Sequence, residues 1–277
     1  MVLARTRIRL RFVPTQAENI GEALLAIFIA MIALRSKPKL SGVQIQQDLV
    51  SNWPGLQVPK VAEEQDGILS LTFATAEALL AHMPAPIPWS DLEGPCATSI
   101  LWPHAESELR THDSHLIVTV SGELSPLELV KLLTQVTTAV LGTCSDVLGV
   151  YWGSAALIIP ARQFRDFAIK MLPLGPTVEL WVDFRVGRNA QGLCSGFTQG
   201  LSAFGLMEIE TESASERPGE LRERLCSISR YLLEKGPVIR DGDSVSNNAK
   251  EQIRVVYGPS AFGHEGAVMR LNYETVI

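Results

Sequence analysis

Positive charge is in deficit in this sequence. The 24 Lys and Arg are outnumbered by 30 Asp and Glu, a net charge of −6. A basic stripe of the kind that tracks nucleic acid is missing, which argues against a nucleic-acid binder and is compatible with a basic protein partner. Cysteine is sparse: Cys96, Cys144, Cys194 and Cys226 lie far apart, with no CxxC and no framework spacing. Reduced thiols in a cytoplasmic protein are the expectation. A bilayer-spanning run is also missing, since spanning takes about 20 apolar residues and Ala23–Leu34 is too short. Arg5, Arg7, Arg9 and Arg11 ahead of that run imitate a signal peptide, but Arg35 and Lys37 follow at once and no small-x-small cleavage site closes it. No membrane partner is expected. Without a P-loop, GxGxxG or kinase motif, no nucleotide cofactor is expected either. Exact repeats, low-complexity tracts, heptads and a clean linker are all lacking. The 277 residues, 46% apolar, therefore read as two parts sharing one core.

What the chain does have is alternation, most clearly over Thr177–Glu212. Val178, Leu180, Val182, Phe184 and Val186 alternate with Glu179, Trp181, Asp183 and Arg185. That period of two predicts a strand with one buried and one wetter face. In a longer second strand Leu206, Met207 and Ile209 interleave with Glu208, Glu210 and Glu212, and Gly200 and Gly205 interrupt the run. Glycine inside a strand marks a bulge or a close backbone approach. The two strands are expected to form the long central hairpin of a sheet.

Elsewhere the pattern alternates between strands and helices. Leu25–Arg35 reads as a buried central strand, with a helix as its rival. Ser41 with Gln44 reads as the start of a helix that ends at Trp53-Pro54-Gly55. Strands over Leu56–Glu64 and Gly67–Phe73 flank the turn Gln65-Asp66-Gly67. Ala74–Met83 reads as a short helix and Pro84–Pro88 as a rigid connector. Ser90 and Glu93 form a second capping signature, ahead of a helix running toward Leu109 with a break near Gly94-Pro95, and Ser114–Ser121 is a strand. Beyond it, Ser125-Pro126-Leu127-Glu128 opens a helix striped with Leu129, Leu132, Leu133, Val136 and Val140. Val147–Pro160 reads as one strand, Phe164–Met171 as a helix, Pro218–Lys235 as the strongest helix, Asp241–Asn248 as a loop, and Gln252–Tyr257 and Ala267–Tyr273 as closing strands. The fold class expected is α+β, with two fused ferredoxin-like (split βαβ) halves whose mostly antiparallel or mixed sheets are covered by helices. Residues 1–19 form an N-terminal arm, and the halves run 24–121 and 122–277.

For chemistry the residues offer little. Gly200-Leu201-Ser202-Ala203-Phe204-Gly205 misses the G-x-S-x-G spacing by one residue, so Ser202 reads as a strand serine. His104, His112, Asp113 and His115 cluster but lack preset metal geometry, and read as solvated loop residues. Asp241-Gly242-Asp243-Ser244 lacks the later ligands of a calcium loop. Neither catalytic residues nor metal ligands nor a cofactor are assigned. Asp183, Glu208 and Glu210 could share a sheet face and, with His264, form an acid–base or small-ligand site. Arg185 beside Asp183, and the alternation of Glu208, Glu210 and Glu212, more simply make a solvated, ion-paired face. Trp181 beside Asp183 and Arg185 has the make-up of an interface hot spot, with burial inside the chain as the rival. Trp181, Asp183, Arg185, Glu208, Glu210 and Glu212 are the partner-binding candidates.

The order of Ala26–Lys39 (AIFIAMIALRSKPK), Trp53-Pro54, Pro86-Ile87-Pro88-Trp89, Val150-Tyr151-Trp152 and Thr198–Glu210 (TQGLSAFGLMEIE) resembles the bacterial "domain of unknown function 4261" proteins. The likeness runs over about residues 24–273 and leaves residues 1–19 outside. It implies no established reaction and no catalytic residues. Some proteins of this look are associated with bacterial toxin and secretion systems, which implies a cytosolic immunity protein that neutralises a secreted effector such as a nuclease. The functional expectation is a non-catalytic protein-binding protein of this kind, with a basic toxin effector as partner. The alternative is a small-ligand binder or hydrolase built on the carboxylates of the hairpin.

Overall fold

The computed structural model describes residues 26–62, 67–245 and 252–274. The expected arm over 1–19, residues 65 and 66 of the predicted turn and the end of the 241–248 loop lie outside the described residues. Two sheets organise the rest. The first has seven strands in the order β2-β3-β4-β5-β1-β6-β7, all neighbours antiparallel. Its strands are β1 (Ile27–Leu34), β2 (Lys60–Val61), β3 (Ile68–Thr72), β4 (Ala76–Met83), β5 (Ser114–Gly122), β6 (Val147–Trp152) and β7 (Leu157–Pro160). The second has β8 (Asp183–Arg188), β9 (Cys194–Gln199), β10 (Ile209–Ala214), β11 (Gln252–Pro259) and β12 (Ala267–Glu274), in the order β11-β12-β10-β9-β8. Only β10 and β12 pair in parallel there. With helices on both sheets, the class is α+β.

The most apolar strand, β1, sits inside the first sheet and pairs with both β5 and β6. Those two are antiparallel to β1, so they run parallel to each other, and α4 (Pro126–Thr143) joins them. This is a split β-α-β unit with β1 threaded between its strands. It crosses residues 121–122, so one sheet takes strands from both sides of that position. Ser125 starts α4 as its sequence demands: Oγ accepts the Glu128 N–H at 3.3 Å, and Glu128 accepts the Ser125 N–H at 3.0 Å. Such caps contribute about 1 kcal/mol. The helix lies against β1 and β5 and packs between α1 (Gly42–Asn52) and α5 (Ala161–Met171). Phe28, Ala30, Ile32 and Leu34 of β1 and Leu116, Val118 and Val120 of β5 face this layer and are buried. Among the described residues the opposite face is covered at one end only, by α2 (Trp89–Thr98) and α3 (Ala105–Leu109). There Leu92, Trp102, Ala105 and Leu109 close over Ala33, Leu148 and Ile158. In the second sheet α7 (Pro218–Lys235) packs on β8, β9 and β10.

Four local expectations are corrected. Ala74–Met83 is strand β4, because Ala76, Ala78 and Leu80 point into the core while Glu77 and Leu79 are exposed. That period-two burial overrides the helix preference of alanine and leucine. Val147–Pro160 is broken by a 3-10 turn at Gly153–Ala155, with Ala156 at φ 47°. The helix near Ser90 starts at Trp89 without a side-chain cap and runs through Pro95. The predicted central hairpin divides more deeply. Val178–Trp181 is the short helix α6, and the second strand splits into β9 and β10 around a 3-10 turn at Leu201–Phe204. Leu180 and Trp181 are successive and both 0% exposed. A strand with one wet face cannot bury two neighbours; a helix wedged between layers can.

Candidate functional site

The carboxylates of the hairpin do not form a solvated face. Glu208 is 6% and Glu210 is 1% exposed, and only Glu212 of the three is on the surface. Glu208 precedes β10 and turns back into the 3-10 turn. Oε2 accepts the Thr198 hydroxyl at 2.8 Å, and Oε1 accepts the N–H of Gly200 at 2.8 Å and of Ser202 at 3.0 Å. Gly200 is required there: its φ is 124°, and a Cβ would lie 2.6 Å from the Trp181 carbonyl oxygen. The TQGL…FG…EIE pattern is thus a carboxylate-stapled turn, and Ser202 takes part through its backbone.

Glu210 does the same work one strand further along. It accepts the Ser260 hydroxyl and, at 2.9 Å, the Ala261 N–H, so it anchors the loop between β11 and β12. Ser260 Oγ in turn accepts the N–H groups of Phe262 and His264, each at 3.0 Å. His264 brings Nε2 to 3.8 Å from Glu210 Oε1 without a hydrogen bond. Ser260 is therefore spent on turn geometry. On the same side of the sheet Asp183 and Arg185 pair at 2.7 Å, and Arg185 lies in register with Phe197 and Glu210. Glu212 pairs with Arg270. Between β10 and β12 the described residues leave a groove of about 190 Å³, short of the ~300–1,000 Å³ usual for small-ligand pockets. Trp181 is elsewhere. Fully buried, it donates Nε1–H to Thr134 Oγ1 at 2.8 Å, so it cannot meet a partner.

The histidines are also placed differently from the expectation. His104 is exposed, but His112 and His115 are 7% and 6% exposed and bond to the backbone of the 84–88 connector. Among the described residues no group of three or more His, Cys, Asp or Glu is placed to hold a metal ion. Asp241 and Asp243 accept backbone N–H groups of Tyr257 and Arg240 and so shape their own loop.

What sequence reasoning missed lies on the larger sheet. Away from α1, α4 and α5, and past the end that α2 and α3 cover, its face is largely apolar and uncovered among the described residues. Cross-strand pairing sets Ile68, Ala81, Ile117 and Met31 in one row, and Ser70, Leu79, Thr119 and Ile29 in the next. Ile27 and Met83 extend it at the two ends. Ile27 is 56%, Ile68 44%, Met83 39% and Leu79 36% exposed, and the others are half-buried, Met31 against the cluster under α2 and α3. The only charges in the register are Glu77 and Lys60, in the outermost row. A signal for it exists in the sequence: β4 and β5 carry apolar residues at both odd and even positions, as strands covered on both faces do.

Residues 197–272 match the family model described as Domain of unknown function (DUF4261). The match begins at Phe197 in β9 and takes in the Glu208 staple and the Glu210-anchored loop. Comparison with curated proteins and with solved structures gave no match. No helix among the described residues is long and apolar enough to cross a membrane.

Proposed function

We propose that this is a non-catalytic protein-binding protein that holds a folded partner of net positive charge on the open half of its seven-stranded sheet. One observation carries the reading: among the described residues, Ile27, Ile68, Leu79 and Met83 stand exposed on a face whose other half is sealed by α2 and α3. Contiguous exposed apolar surface rimmed by polar residues marks interaction sites. Covering Ile27, Ile68, Leu79 and Met83 is worth about 1 kcal/mol apiece, given that each is already partly buried. The charge of −6 steers a basic partner and sets two copies of this chain against each other. Glu208 and Glu210, whose oxygens are bonded to the protein's own backbone and hydroxyls, suit a framework role better than acid–base work. In its sharpest form, taken from the family resemblance, the partner is a secreted bacterial toxin and the protein its cytosolic immunity factor.

The test is co-expression with the toxin encoded beside its gene. Wild type should protect cells and co-purify with the toxin, and an Ile68→Glu/Leu79→Glu variant should do neither while remaining folded. Equal protection by that variant, or a wild-type dimer that it dissociates, would overturn the proposal. So would a wild type that neither protects nor binds.

A further inference from the structure

β10 and β12, the parallel pair of the second sheet, stay in register for two steps only. Ile209 pairs with Met269 and Glu210 with Arg270, and there the ladder ends. The cause lies in β10, which carries one extra residue against β9 between Thr211 and Ala214. Such a bulge bends the strand that holds it, and the Glu212 carbonyl turns away to accept the Asn189 side-chain amide at 2.8 Å. β12 runs on in register with β11 as far as Glu274. The two strands therefore part toward their carboxyl ends and open the groove of about 190 Å³. In open α/β sheets that end of parallel strands is where ligands bind. Glu212 and Arg270 line the groove from one face of the pair, Thr211 and Leu271 from the other. The gap thus lies in the plane of the sheet, and one molecule in it reaches both sets.

The lining keeps unspent valences. Thr211 is 2% exposed, and its Oγ1 has no hydrogen-bond partner among the described residues. Buried hydroxyls are normally paired, so one left over at the floor of a groove is satisfied by what enters it. At the rim Arg270 Nη2 donates to Glu212 Oε1. That leaves Nε and Nη1 of the guanidinium and Oε2 of the carboxylate without a hydrogen bond among the described residues. Glu210, the other carboxylate of the lining, already holds Ser260 and Ala261. A plain anion in the groove meets Glu212, a plain cation meets Arg270, and an apolar molecule leaves the Thr211 hydroxyl unpaired. A molecule that carries both charges matches all three.

We propose that the groove between β10 and β12 binds a free α-amino acid, its carboxylate held by Arg270 and the Thr211 hydroxyl and its ammonium by Glu212. The size agrees. A cavity of about 150 Å³ encloses one benzene, so about 190 Å³ admits a small amino acid and shuts out an oligopeptide. The site belongs to the second sheet and the open face to the first, so the inference does not rest on that face being a docking surface.

The experiment uses the full chain and the common L-amino acids one at a time, followed by amide NMR of the labelled protein. Propionate and propylamine serve as controls with one charge each. At least one amino acid should shift the amides of Thr211, Ser213 and Leu271 saturably, with a Kd of about 1 mM or tighter. Both controls should bind at least about tenfold more weakly. Thr211→Val, which keeps the shape and removes a hydroxyl that the described fold does not use, should weaken the binding about fivefold. Arg270→Gln should weaken it about tenfold or more. Saturable shifts from none of the amino acids, shifts confined to other parts of the chain, controls that bind as tightly, or Thr211→Val binding as well as wild type would each overturn the proposal. All of these readouts are taken without the toxin, so failure here leaves the docking surface standing, and the reverse holds.

Discussion

Trp181 gives its indole N–H to the hydroxyl of Thr134 at 2.8 Å, and both side chains are fully buried. Through this bond the short helix ahead of the second sheet is tied to the central helix of the first. Phe204, from the stapled turn, lies 6.0 Å from the Trp181 ring and 6.4 Å from that of Phe28 in β1. The two sheets are therefore locked through one joint.

Thr134→Val keeps the shape of that joint and removes its only acceptor. The stranded indole N–H should cost about 1–3 kcal/mol, read as a lower urea midpoint. Thr134→Ser should restore most of the loss.

Glu208→Ala should be among the most damaging single changes, since it orphans the Thr198 hydroxyl and the N–H groups of Gly200 and Ser202 together. A loss of about 3 kcal/mol or more is expected. Glu208→Gln, which keeps one acceptor oxygen, should lose less. Equal stability of the two variants would refute the staple.

The Cys226 thiol is pushed up to about 11, first by burial and then by the adjacent Glu179 carboxylate. It should react slowly with disulfide reagents near pH 8, because little thiolate is present. Glu179→Gln should lower the thiol pKa and speed labelling several-fold, measured by mass spectrometry of the labelled peptide.

At the start of α7, Glu220 is held at about 2, against an ordinary 4.5, by hydrogen bonds from the Arg217 side chain and backbone. A depressed carboxyl contributes stability above its ordinary pKa and loses it as the pH falls through the folded value. The contribution should be intact above about 4.5 and vanish toward about 2. Melting temperatures across that window should fall less steeply for Glu220→Gln than for wild type.

Local chemistry read correctly from the sequence wherever it sufficed. Ser125 and Glu128 cap α4 as their spacing requires, and Gly236-Pro237 follows the end of α7. The run of isoleucine and alanine through β1 is buried on one side by helices, as its composition demands. Alternation also placed β5, β11 and β12 to within two residues of their ends.

The misreadings share one cause, which is that periodicity does not say what lies on the other side of a residue. Glu208 and Glu210 alternate as a wet face would, yet each turns inward because backbone N–H groups wait there, donated by turns and loops from 6 to 51 residues away. His112 and His115 look like loop histidines until the connector over 84–88 is laid across them. The open sheet face needs three cross-strand registers to exist at all. The sequence by itself determined which segments are strands and helices over most of the chain, because capping and burial period are short-range properties. Which polar groups are buried, and which apolar ones stay bare, was decided by the tertiary structure, because hydrogen bonding and solvent exclusion depend on groups brought together from distant parts of the chain.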